Sequence, residues 1–387
     1  MSGKRSRRAA EISDQGPDLD PAWVSSIRAR LLQRNAAEGR QLPWRVDRTA
    51  YRVLVSEMML VQTTVAAVVP YFERFLRRFP DFAALASAAE DEVLSAWEGL
   101  GYYRRARMLH AAARRVMEVH GGELPADLEA IADLPGVGRY ITGAIASFAF
   151  DMPAPILEAN TQRVAARWIG WDGELGSSAT QARLWRLAER VVPEVSPGAF
   201  NEAFMDLGAT LCTPRRPACL LCPVSSLCRA RIDGREDSIP VMAPRTAPKS
   251  VEEMCGIITR PSDSALLMVR RGPGGLWERF WELPTIHVAG ADPAGRAETS
   301  GLAFPGGIEL VTGIKVEEGA VLRSIRYSVT THRVALRAIL GVPVSGDPRP
   351  GPGMIDAAWV DRAAVESKTV PAPIRRLIGD WLESSAD

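Results

Sequence analysis

The sequence predicts an all-α half followed by an α+β half, and three observations carry that prediction. From Pro21 to about Arg231, apolar residues recur at i, i+3, i+4 spacing and strand-like alternation is absent. Four of the five cysteines, Cys212, Cys219, Cys222 and Cys228, stand at the end of that half in the pattern C-x6-C-x2-C-x5-C. Beyond the Pro-rich stretch Asp237–Ser250, the runs become short and β-branched. A chain of 387 residues is too long for one small core. Domains are therefore expected over 21–231 and 251–387, with a polar, disordered tail over 1–20 and a linker over 232–250.

Helices are expected, in order, over Ala22–Asn35, Tyr51–Leu60, Val65–Phe75, Ala83–Ala89, Glu90–Trp97, Tyr103–Val119, Leu128–Ala132, Arg139–Phe150 and Gln181–Val192. Breaks containing Pro or Gly separate most of them. In the second half, Met254–Thr259, Ala265–Arg270, Ile308–Val311, Leu322–Val329 and Arg333–Gly341 read as strands, and Pro373–Ser384 as a terminal amphipathic helix. Hydrophobic content of 47% with 24% charged residues describes an ordinary soluble globular protein. No apolar run reaches membrane-spanning length and no signal-peptide core is present, so a cytoplasmic protein, in a bacterium and near its nucleoid, is expected. The net charge of +1 hides local groups: Arg74, Arg77 and Arg78; Arg104, Arg105 and Arg107; Arg114 and Arg115; Arg215 and Arg216. Each alone reads as a solvated helix face, whereas several around one set of motifs suit a polyanion.

Closely spaced thiolates are the usual ligands of zinc or of an iron–sulfur cube. A disulfide framework competes, but nothing else suggests secretion. Zinc sites more often use two C-x2-C knuckles, and a six-residue first gap leaves room around a larger inorganic core, so iron–sulfur is favoured. The isolated Cys255 reads as a small buried hydrophobe. A second motif, Leu134-Pro135-Gly136-Val137-Gly138-Arg139-Tyr140, reads as a Gly-rich hairpin between two helices. Glycines there allow positive φ and close approach, and the following helix offers its N-terminal amides to an anion such as a nucleic-acid phosphate. A tight corner between helices is the plainer alternative.

This hairpin and cysteine loop resemble the helix–hairpin–helix superfamily of base-excision DNA glycosylases. Leu42-Pro43-Trp44-Arg45, Ser56-Glu57-Met58-Met59-Leu60-Val61-Gln62-Thr63 and the run from Trp97 to Arg107 (WEGLGYYRRAR) are similar to the A/G-specific adenine glycosylases, the MutY family. The resemblance is strong over about 21–231 and looser over 251–387. It implies a 4Fe-4S cluster held by Cys212, Cys219, Cys222 and Cys228. It also implies duplex DNA bearing A opposite 8-oxoguanine or guanine as partner, and removal of that adenine by a protein expected to act as a monomer.

Cleaving a glycosidic bond to adenine needs an acid for the leaving base and a negative charge beside the sugar cation, so two carboxylates suffice. Glu57 lies in an apolar helical run (VLVSEMMLV), where burial raises a carboxyl pKa. The resemblance makes Glu57 the acid at adenine N7. At the place of the family's aspartate stands Glu158, followed by Ala159 where glycine is usual. One added methylene moves the carboxylate by about an ångström, and a misplacement of that size can cost ~10²-fold in rate. Glu158 either still stabilises the sugar cation on a shifted backbone, or does so poorly, or serves another substrate; the first is favoured. Asn160 is expected to support that carboxylate and the sugar–phosphate by hydrogen bonding. Tyr140 stands where bifunctional endonuclease III relatives carry a Schiff-base lysine, so strand cleavage is not expected.

Gln62, Tyr102 and Arg105 are expected at the DNA with Gly136, Val137 and Gly138 of the hairpin. Tyr102 and Gln62 would enter the stack or contact the mismatch while adenine is flipped out; Val61 stands where glutamine is more usual. In the second half, Gly275–Pro284 (GLWERFWELP) is similar to the start of a Nudix-type fold, but the acidic box that would bind magnesium is missing. A Nudix-like lesion-recognition domain is expected, with Thr331 and His332 offered to 8-oxoguanine from a hairpin; a plain edge-strand pair competes. A thymine or other mismatch glycosylase, and a non-catalytic lesion-binding protein allowed by Glu158, remain as alternatives.

Overall fold

The computed structural model describes residues 20–244 and 246–384; the expected disordered tail lies outside the described residues apart from Asp20. The chain divides into two compact units, one of residues 20–87 and 108–244, the other of 88–107 and 246–384.

The first unit is built from α1 (Pro21–Glu38), α2 (Pro43–Val46), α3 (Ala50–Leu60), α4 (Val65–Arg78) and α5 (Phe82–Ser87). After α6 (Glu90–Ala96), which belongs to the other unit, α7 (Arg104–His120) leads into α8 (Leu128–Ala132) and α9 (Arg139–Phe150). Then come α10 (Ala159–Trp168), α11 (Ser178–Val191), α12 (Pro197–Asp206) and α13 (Arg229–Ile232). The starts follow sequence chemistry: the side chains of Asp20, Thr49, Thr64 and Ser177 each accept a first-turn amide of the helix that follows. Helix α3 is buried along nearly its whole length, from Tyr51 through Met59. Behind it, Ile27, Leu31, Val164, Leu184, Phe200, Phe204 and Leu207 form one core, with Trp168 stacked on Phe204 at 4.7 Å.

Neither α10 nor α12 appears among the helices read from sequence. Their buried faces carry Arg163 and Arg167, and Asn201, Glu202 and Asp206, so polar residues interrupt the apolar period. Between α9 and α10 the chain runs extended and passes close against Gly143. A Cβ at Gly143 would lie 2.0 Å from the Pro155 carbonyl oxygen, so only glycine lets the segment leading to Glu158 reach the helix. A π-helical turn, Leu207–Leu211, extends α12 to Cys212.

The first half of the expected linker, up to Val241, is held by the first unit, while 242–244 and 246–248 carry no regular structure. Ile239 is 1% exposed in the first unit's core, Leu175 donates its amide to Val241 O, and a strand starts at Lys249. The second unit has a four-stranded sheet ordered β4-β1-β6-β5 and a three-stranded sheet ordered β3-β2-β7. Its strands are β1 (Lys249–Ile258), β2 (Leu266–Arg271), β3 (Trp281–Glu282), β4 (Thr285–Gly290), β5 (Lys315–Val329), β6 (His332–Ser345) and β7 (Met354–Val360). Strands β1 and β6 are parallel and the other pairs antiparallel. Ile308–Val311, expected as a strand, lies instead in α14 (Phe304–Thr312). Phe304, Ile308 and Val311 share its buried face, Pro305 opens it and Gly313 (φ +74) closes it, signals longer than a four-residue β-branched window. Helices α15 (Arg362–Ser367) and α16 (Ala372–Ser384) complete the unit.

Residues 88–107, expected in the helical domain, share their contacts with the strands. Tyr103 packs edge-on to Phe280 at 4.4 Å, Arg375 pairs with Glu98 at 2.8 Å, and Arg270 with Asp91 at 3.0 Å. Sequence distance hid this: α6 has the same helical period as its neighbours, and its partners lie more than 170 residues later.

Candidate active site

Glu57, Tyr140, Glu158, Asn160 and Gln62 line one cavity of about 540 Å³ in the first unit. Helix α3 delivers Glu57, α9 delivers Tyr140 from its second residue, and the start of α10 delivers Glu158 and Asn160. Trp44, Leu60, Phe148, Leu157 and Met205 supply apolar walls of a size suited to a planar base.

Glu57 is 3% exposed. Burial raises its pKa to about 7; Glu158 adds to the rise, and a hydrogen bond from Tyr140 and the charge of Arg45 oppose it. The Tyr140 hydroxyl donates to Glu57 Oε2 at 2.6 Å, and burial beside two carboxylates pushes the phenol well above its ordinary pKa. Tyr140 is therefore a fixed donor rather than an acid that titrates. Glu158 caps α10: its Oε2 accepts from the Asn160 amide at 2.7 Å and its Oε1 from the Thr161 amide at 3.0 Å. Thr161 Oγ1 closes the box by accepting from the Glu158 amide. The longer acid is thus folded back onto the helix N-terminus, where an anion is welcome.

Asn160 contacts Glu158 only through its backbone amide. Its side-chain Oδ1 accepts from Arg163 Nη2 at 3.0 Å, because a second-position helical side chain faces the next turn while its free amide faces the cap.

A buried ionic set lies against the same cavity and was not read from sequence. Arg45 grips both oxygens of Asp206, at 2.8 and 2.9 Å, Arg40 Nε bonds Asp206 Oδ1 at 2.6 Å, and Arg48 bonds Glu202 at 3.0 Å. Burial works against the Arg45 charge, but Asp206 and Glu202 outweigh it, so its pKa is raised. The available signal was Glu202 and Asp206, four apart in a helix that is apolar elsewhere except at Asn201, an anomaly akin to the one that exposed Glu57.

In the hairpin before α9, Gly136 has φ +79, and a Cβ there would lie 2.6 Å from Met108 Cβ. Gly138 departs from the expectation, since its φ is −98°. Its Cβ position meets nothing within 4 Å, so what it offers is an open face at the head of α9. Val137 lies between them, its amide bonded to Leu134 O. Gln62 (φ +61) and Tyr102 (φ +49) are non-glycine residues in left-handed backbone, both exposed; such outliers cluster at functional sites. The structure does not place Tyr102 in the cavity: with Arg105 it belongs to the second unit. Arg105 turns to its own loop, lying over Trp97 and Tyr102 at 5.6 and 5.3 Å and donating to Gly101 O. Thr331 and His332 sit at the tip of the β5–β6 hairpin, with Thr330 Oγ1 3.2 Å from His332 Nδ1. Strand β5 is the edge of its sheet and β6 lies inside it, so the hairpin is an edge pair whose tip carries both residues.

Cys212, Cys219, Cys222 and Cys228 line a second, small cavity with Arg167, Trp168, Leu207 and Leu211, and none is in a disulfide. Burial pushes the Cys222 and Cys228 thiols up to about 11, so as bare thiols they stay protonated and an electropositive core is what turns them into ligands. Among the described residues no three His, Cys, Asp or Glu side chains are gathered for a single metal ion. Four thiols around a shared cavity, with a guanidinium N–H on Cys212 Sγ, fit a larger cluster.

Residues 55–190 match the family model of the HhH-GPD superfamily base excision DNA repair proteins. Residues 212–228 match the iron–sulfur binding domain of endonuclease III, and 254–380 the NUDIX domain. The fold and these matches define a helix–hairpin–helix protein with a 4Fe-4S cluster loop and a Nudix-like second domain. The adenine DNA glycosylase of Mus musculus is 37% identical over 327 residues, covering 72% of this chain and 64% of the relative. That of Homo sapiens is 41% identical over 329 residues, covering 72% and 60%. The solved structure of a thermostable thymine-DNA glycosylase is 31% identical with a TM-score of 0.51, covering 55% of this chain and 98% of that one. The chain is similar to the adenine DNA glycosylases of the MutY family, and it spans somewhat less than two thirds of the curated relatives' length. No helix among the described residues is long and apolar enough to cross a membrane.

Proposed function

We propose that the protein is a monofunctional DNA glycosylase that removes adenine mispaired with 8-oxoguanine or guanine from duplex DNA. The observation that carries this reading is the buried Glu57 carboxyl, held near neutral pKa and bonded to Tyr140, in a base-sized cavity that the Glu158 carboxylate also lines. With Tyr140 occupying Oε2, the acidic proton resides on Oε1 and is delivered to the departing base, which leaves neutral. The developing sugar cation is stabilised by Glu158, whose charge is fixed by two amides before the reaction begins and costs no reorganisation. Water then completes hydrolysis. Tyr140 offers no amine for a Schiff base, so the product is an abasic site in an intact strand.

The hairpin around Gly136, Val137 and Gly138 grips a phosphate through the head of α9, the helix that carries Tyr140, so backbone grip and chemistry share one rigid element. Gln62 and Tyr102 contact the stack around the flipped nucleotide, with Arg105 steadying Tyr102. Thr331 and His332 probe the opposite base. The resident cluster supplies no step; it braces the loop from Thr213 to Ala218, where Arg215 and Arg216 are exposed to a phosphate backbone.

A single-turnover assay on duplexes bearing A opposite 8-oxoguanine, A opposite G, and T opposite G tests the reading. Adenine release from the first two, with strands intact until hot alkali is added, is expected. Release of thymine alone would overturn the substrate, and borohydride trapping of an enzyme–DNA adduct as the main product would overturn the monofunctional mechanism.

A further inference from the structure

Arg167 is a buried charge that no carboxylate pairs. It is 2% exposed, in the middle of the first unit. Its Nε donates to Ile239 O at 2.7 Å and its Nη1 to Thr213 O at 2.8 Å; a longer contact runs from Nη2 to Pro214 O. The remaining partner of Nη1 is Cys212 Sγ, at 3.2 Å. Glu236, the acid lining the same cavity, is hydrogen-bonded to Arg231 and reaches Arg167 only through space, with no hydrogen bond between them. A guanidinium does not deprotonate in a protein, and an unpaired one in the interior costs several kcal/mol. Carbonyl dipoles solvate it in part, and no carboxylate is in hydrogen-bond contact to supply a direct counter-charge.

Four cysteine thiolates around a 4Fe-4S core carry net negative charge, and hydrogen bonds to their sulfurs are among the determinants of cluster potential. We propose that Arg167 is the counter-ion and redox-positioning residue of the cluster, acting through its N–H···S bond to Cys212. The same residue also accepts at its carbonyl oxygen from Cys228 Sγ, at 3.3 Å in the thiol form, so one helical turn addresses the first and last cysteines of the loop. Its charge favours the more reduced, more negative cluster and opposes oxidation. Arg163 also lies in electrostatic reach of Cys212, but its guanidinium bonds the Cys212 and Gly208 carbonyls and Asn160, and no sulfur, so the N–H···S contact belongs to Arg167 alone of the two.

The proposal rests on the 4Fe-4S assignment, which iron and acid-labile sulfide content of the wild-type protein tests separately. Voltammetry of the full chain bound to DNA-modified electrodes tests the proposal itself. Arg167→Met is expected to shift the cluster midpoint to more negative potential and to speed cluster loss to a chelator several-fold. Arg167→Lys, which keeps the charge, is expected to stay near wild type in potential. An unchanged midpoint in a cluster-loaded Arg167→Met protein overturns the proposal. If that variant is recovered only without cluster, the comparison moves to metal-free proteins. Metal-free Arg167→Met should then melt at or above metal-free wild type, because the unpaired charge is gone. A lower melting temperature would mean that Arg167 serves only the carbonyls it bonds, and overturns the proposal equally.

Discussion

Replacing Glu57 with glutamine separates the proton from the shape of the side chain. Glutamine is nearly isosteric with the protonated acid and can still accept from Tyr140, but it has no proton to give. The folded-state pKa of Glu57 is raised to about 7 from an ordinary 4.5, mainly by burial. A raised value means that the stability contributed by the protonated acid is fully present below about pH 4.5 and is lost as pH rises through about 7. At ~1.4 kcal/mol per tenfold in proton affinity, the loss by pH 8.5 is about 3 kcal/mol. The glutamine variant does not incur it. Cluster-loaded Glu57→Gln is therefore expected to melt about 3–6 °C above wild type at pH 5.5, where about 1.4 kcal/mol is already lost, and roughly 6–12 °C above it at pH 8.5. Base release should be abolished at both. A melting difference that does not change with pH would refute the reasoning, since the carboxyl would then titrate as in solvent. Undiminished turnover would place the acid elsewhere.

The hydrogen bond from Tyr140 lowers the Glu57 pKa, so Tyr140→Phe should move the alkaline limb of the single-turnover pH profile to higher pH; a limb that stays put would uncouple the two groups. Glu158→Gln should lose most activity because charge, and not only hydrogen bonding, is required beside the sugar. Glu158→Asp should retain or raise it, unless the backbone that now lets a glutamate cap α10 leaves aspartate short; Gln as fast as wild type would remove Glu158 from the mechanism. Gly136→Ala puts a Cβ against Met108 at φ +79 and should destabilise the first unit by about 1–3 kcal/mol, read by chemical denaturation, while weakening DNA binding.

Those parts of the site that announce themselves by local anomaly were legible in the sequence. Glu57 is a lone acid in an apolar helix, the hairpin is a G-V-G break between helical periods, and the cysteines are four thiols in seventeen residues. What escaped was whatever depends on partners distant in sequence. The periods of α10 and α12 are masked by Arg163, Arg167, Glu202 and Asp206, which are buried only because each finds a polar partner elsewhere in the chain. Arg45 was read only as part of a motif, since its pairing with Asp206 spans 161 residues. Helix α14 escaped for the opposite reason: its signal is local but longer than the window that made Ile308–Val311 look like a strand.

The allegiance of residues 88–107 bears on how this chain can be taken apart. Trimming it after residue 244 would remove Phe280, Glu278, Arg270 and Arg375, and with them the packing of Tyr103, the hydrogen bond of Arg107, and the ion pairs of Asp91 and Glu98. The loop bearing Tyr102 would stay covalently in the fragment yet lose its scaffold. Domain exchange between relatives meets the same obstacle, because a transplanted Nudix-like half arrives without the twenty residues it grew up with. Modularity visible along the sequence is therefore not modularity of cooperative units, and a transferable cassette would have to carry both pieces.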